Sequence, residues 1–74
     1  SDYEFSIEQL ATSKSNLNLA ERIENKNQIK FKEGLSSSFD LTDAQRQLYS
    51  AQQTYLQAML DVINKKATLE KLLN

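Results

Sequence analysis

"FKEGLSSSFDLTDA", residues 31–44, contains the only glycine of a 74-residue chain that has no proline. On both sides of it the sequence is rich in good helix formers, so whatever happens at Gly34 decides the architecture. Glycine adopts the left-handed backbone that ends a helix at little cost, whereas any other side chain meets steric strain there. Three serines follow, and Ser37 with Asp40 three positions on forms an S-x-x-D pattern that predicts a helix N-cap. Asp40 with Asp43 is the alternative cap. A stop and a start this close leave a short connection, which requires the two helices to lie antiparallel as neighbours. The expectation is an all-α fold, a long antiparallel two-helix coiled-coil hairpin with helices over about 3–32 and 38–73, each about 45 Å long at 1.5 Å per residue.

Downstream of the turn the periodicity is plain. Leu41, Ala44, Leu48, Ala51, Tyr55, Ala58, Val62, Leu69 and Leu72 fall at alternating steps of three and four, with Lys65 the one intruder. That is a heptad packing seam. Leu56, Met59, Leu60, Ile63 and Leu73 widen it into a second apolar flank, so this helix is expected to touch neighbours on more than one side. Upstream, Tyr3, Ile7, Leu10, Leu17 and Phe31 fit one seam, but Lys14, Glu21, Glu24 and Gln28 occupy its other steps. Leu19, Ala20 and Ile23 fall on an offset face, and "KSNLN" lowers helix propensity. Lys26, Lys30 and Lys32 before the turn, Asp40 and Asp43 after it, and Lys65, Lys66 and Lys71 near the end all suit the helix dipoles. Glu33 is the exception.

Composition narrows the function classes. With no cysteine and no histidine, the chain has no thiolate nucleophile, no disulfide, no sulfur ligand and no imidazole base. Serine catalysis at Ser36–Ser38 would need such a base, so the triplet reads as loop and cap, with anion binding at the helix start a lesser reading. Asp40 and Asp43 lack the further oxygen ligands of a cation site. No catalytic residue, cofactor or metal is expected. Nine basic against ten acidic residues favour neither nucleic acid nor an anionic membrane surface. The longest apolar runs, such as Ala58-Met59-Leu60, are far too short to span a bilayer, and "SDYEFSIEQL" has no signal-peptide pattern.

Residues 31–73, "FKEGLSSSFDLTDAQRQLYSAQQTYLQAMLDVINKKATLEKLL", resemble the TolC-like outer-membrane efflux proteins. The shared pattern is an aromatic residue, Gly34, a small polar loop, Asp40, an apolar residue at 41 and Ala44, followed by Leu48, Ala51, Tyr55, Ala58 and a closing Leu69. The match covers roughly the last 45 residues, and the first 25 share only the general character. The resemblance implies a single hairpin, residues 1–74, from the periplasmic α-barrel of a larger outer-membrane protein that works as a homotrimer in a Gram-negative type of envelope. "LEKLLN" is more similar to the repeat nearer the C-terminus of that family. The family's turns meet a periplasmic adaptor (membrane fusion) protein, which implies export of small molecules through a passive tunnel. On that reading Gly34, Leu35, Ser36, Ser37, Ser38 and Phe39 form the adaptor-docking tip, small enough for close backbone approach and with Leu35 and Phe39 as apolar contacts. Two alternatives remain: the adaptor's own hairpin, whose tip carries an Arg-Leu-Ser type of signature absent near this turn, and a generic coiled-coil interaction module.

Overall fold

The computed structural model describes residues 1–73. Helix α1 spans Asp2–Lys32 and helix α2 spans Ser38–Leu73. The two lie antiparallel in a rod of 60 × 14 × 12 Å. The long dimension follows from the 36 residues of α2 at about 1.5 Å each plus the turn. Ser1 caps α1, its Oγ accepting from the Glu4 N–H at 3.3 Å. Asp2 and Glu4 stand in the first turn of α1 and Lys30 and Lys32 in its last; Asp40 opens α2 and Lys71 closes it. Each of these charges opposes the helix-end partial charge next to it.

The seam of α2 runs through buried or half-buried Leu41, Ala44, Leu48, Ala51, Tyr55, Ala58 and Val62. That of α1 differs from the pattern expected of its apolar residues. Its inward positions are Tyr3, Ser6, Leu10, Ser13, Leu17, Ala20, Glu24, Asn27 and Gln28. Tyr3, Leu10, Leu17, Glu24 and Gln28 stand at expected seam steps. Ile7, Lys14, Glu21 and Phe31 instead point outward, and Ala20 joins the seam. The correction has a simple cause: the inner rows on α1 are set by size. Ser6 and Ser13 are only 5% and 4% exposed, as buried as Ala44 and Ala58, at 4% and 8%. Their hydroxyls donate within the helix, Ser6 Oγ to Tyr3 O at 2.7 Å and Ser13 Oγ to Leu10 O at 2.9 Å. Burial of the hydroxyls therefore leaves no unmet donor.

Shared grooves fix the register. Phe5 and Ser6 line one with Asp61 and Lys65, and Ser13 lines another with Ala58 and Asp61. Stepping the two seams in opposite directions from there puts a small residue level with a large one. Ser6 faces Val62, Leu10 faces Ala58, Ser13 faces Tyr55, Leu17 faces Ala51 and Ala20 faces Leu48. Alternation of this kind lets knobs fill holes while the helix axes stay close. Lys65, the intruder in the α2 seam, is exposed and lines a groove together with Asp2, Ser6 and Asp61.

Two further seam positions do not close. Leu69 and Leu72 share a groove with Tyr3 and Lys65 yet remain 40% and 79% exposed.

Candidate functional site

The turn is a compact reversal with a hydrogen-bonded cap at each end. Helix α1 ends on Glu33, whose N–H still donates to Ile29 O at 3.1 Å. The Gly34 N–H then donates to Phe31 O at 3.1 Å and the Leu35 N–H to Lys30 O at 2.8 Å. These are the two reverse bonds of a Schellman motif, and they satisfy the last carbonyls of the helix. Gly34 has φ +74°, the left-handed value the motif demands. A Cβ built on Gly34 would meet nothing within 4 Å. Glycine is needed there for its backbone angle and not for lack of room.

Helix α2 begins three residues later. The Asp40 N–H donates to Ser37 Oγ at 3.1 Å and the Leu41 N–H to Ser37 O at 3.2 Å, so Ser37 is the N-cap. Among the described residues no bond returns from the Ser37 N–H to the Asp40 carboxylate, which leaves Asp40 in the first turn as a dipole partner. Asp43 instead accepts from Gln47 Nε2 at 2.9 Å on the helix surface. Ser36 is half-buried beneath the turn, its Oγ donating to Ser37 O at 3.4 Å.

The apex exposes what the turn does not use. Leu35 is 73% and Phe39 76% exposed, flanking the serines on a backbone held by the two caps. Ser38 is exposed at the first position of α2. One contributor is missing from the tip expected of the sequence: Phe31, assigned there to the seam, is an exposed aromatic in the last turn of α1. Its place directly ahead of the Gly34 stop was the available signal. Away from the apex, Tyr49, Leu56, Leu60 and Ile63 form an outward stripe on α2, all of them more than two-fifths exposed. Among the described residues there is no fully buried large side chain, and many large apolar side chains of the hairpin stay exposed.

The family model for outer membrane efflux proteins matches residues 1–74. The chain belongs to the outer membrane efflux protein family. Comparison with curated proteins and with solved structures returned no match. Membership makes the chain part of an outer-membrane channel and transport family, and the helical hairpin agrees with the TolC-like pattern read at the turn. Among the described residues no helix is long and apolar enough to cross a membrane, and no group of three or more acidic residues is placed to hold a metal ion.

Proposed function

We propose that this hairpin is one stave of the periplasmic α-barrel of an efflux duct, and that its turn docks a periplasmic adaptor protein. The family match over the whole chain supports the duct. The tip carries the docking half of the reading: a rigid, doubly capped turn holds Leu35 and Phe39 outward beside small hydroxyl residues. End-to-end contact between helix tips needs that combination. Small residues permit close backbone approach, two apolar knobs supply desolvation energy, and serine hydroxyls exchange hydrogen bonds without a charge to strip of water.

In this account the chain performs no chemistry. Small molecules pass through the assembled tunnel, a homotrimer of the parent protein, driven by a pump to which the adaptor connects it. The outward stripes on α2 and at the end of α1 are the surfaces that neighbouring hairpins cover in the barrel. The test is Leu35→Asp in the full-length parent, scored by outer-membrane level, adaptor co-purification and efflux. A normal outer-membrane level with lost adaptor capture and lost efflux is expected. Undiminished efflux and capture would remove the tip from the account.

A further inference from the structure

Helix α2 carries a second stripe, on the flank away from its exposed apolar residues, that neither the seam nor the tip uses. Gln47, Ser50, Thr54, Gln57, Asp61 and Asn64 follow one another at alternating steps of three and four. All six are exposed. None is apolar, and Asp61 is the one charge among them. The other flank of α2 presents Tyr49, Leu56, Leu60 and Ile63, also exposed. A helix divided this way keeps one flank for packing and the other for water.

Between the polar stripe and α1 runs a trough. Phe5, Gln9 and Thr12 stand on its α1 wall, Gln57 and Asp61 on its α2 wall, and Ala58 lies between them. Its volume is about 460 Å³, and a second groove continues it to Asp2 and Lys65. Phe5, Gln9 and Asp61 line both, so they mark the middle of the whole trough.

The groups gathered there suit one kind of molecule. Phe5 is 60% exposed and offers an aromatic surface to the trough. The single ion pair among the described residues joins Ser1 to Glu4, which leaves the Asp61 carboxylate without a cationic partner. Asp2 and Lys65 offset each other, so the trough carries one net negative charge. An aromatic ring beside a free carboxylate attracts an organic cation with an apolar body. Gln9, Thr12 and Gln57 add donors and acceptors that serve molecules of varied shape.

We infer that this polar flank faces the lumen of the duct, and that the trough at Phe5 and Asp61 is a wall site for amphiphilic organic cations in transit. The inference rests on the duct proposed above and needs nothing from the tip. In a homotrimer the site occurs three times at one level. Its hold is weak, because the trough is open and both attractions are screened by water, and a site on a passage must release what it binds.

The full-length trimer in a planar bilayer tests this, with benzyltributylammonium as the cationic probe and toluenesulfonate as the anionic one. Benzyltributylammonium should interrupt the single-channel current, and toluenesulfonate should not. Asp61→Asn should shorten the interruptions about fivefold and Phe5→Leu about threefold, as exposed charge and cation–π contacts imply. Asp61→Lys should transfer the block to toluenesulfonate. Orientation is read separately, in a parent freed of other cysteines. A charged methanethiosulfonate should lower the conductance of a Gln57→Cys channel and leave a Leu60→Cys channel unchanged. Interruptions of the same length in Asp61→Asn, equal block by both probes, or a reagent effect at Leu60 in place of Gln57 would overturn the inference. In each of those outcomes the channel itself stands. A parent that conducts nothing would instead fail the duct, and the wall site with it.

Discussion

The two helices make the same seam with different alphabets. On α2 the inward row is written in leucine, alanine, tyrosine and valine, so hydrophobicity and burial coincide from Leu41 to Val62. On α1 the most buried residues are Ser6 and Ser13, while Phe5, Ile7, Leu19 and Ile23 face out. The difference teaches that in a close two-helix contact the inner rows are selected by volume. A serine whose hydroxyl is satisfied within its own helix serves there as well as alanine, because it closes the gap opposite a larger partner.

That equivalence can be broken directly. Ser13→Leu and Ala58→Leu should each destabilise the hairpin by about 1–3 kcal/mol through overpacking, and by similar amounts. Thermal unfolding followed by circular dichroism at one fixed concentration measures both. A rise in Tm for Ser13→Leu, as a hydrophobicity-based seam would give, breaks the comparison. Next in size are the turn substitutions, which act on both helices alike. Gly34→Ala forces a side chain into φ +74° and should cost about 1 kcal/mol, while Gly34→Asn should cost less. Equal stability of Gly34→Ala and the parent would deny the left-handed turn. Ser37→Ala removes the acceptor of the Asp40 N–H and should cost about 1 kcal/mol, read from the same melts. Smallest is Ile7→Ala, at most about 0.5 kcal/mol, since Ile7 is outward and 43% exposed. A loss of several times that size would return Ile7 to the seam.

The hairpin itself was legible because its decisive signals are local. One glycine, one capping serine and the absence of proline are enough to place a turn, and the observed helices begin and end within a residue of the expected bounds. The seam of α2 from Leu41 to Val62 was legible for the same reason that it packs. The seam of α1 was not, because Ile7 and Phe31 fit the period as well as Ser6 and Asn27 do, and only the facing helix decides between them. Leu69 and Leu72 continue the same period, yet beside Tyr3 at the open end of the hairpin they stay 40% and 79% exposed, which periodicity does not carry. At the tip, Gly34, Leu35, Ser37 and Phe39 could be named from the sequence, while the exposure of Phe31 depended on which face of α1 turned inward.

Reversal at Gly34 is most directly tested by a distance across the arms. Nitroxide labels on Glu8→Cys and Asn64→Cys, in a chain otherwise free of cysteine, can be measured by double electron–electron resonance at low protein concentration. Two adjacent antiparallel helices predict a narrow distribution centred at roughly 15–25 Å, allowing for label linkers on axes about 8–10 Å apart. A distribution on the order of 80 Å, the length of a continuous helix between those positions, would contradict the hairpin and everything built on it.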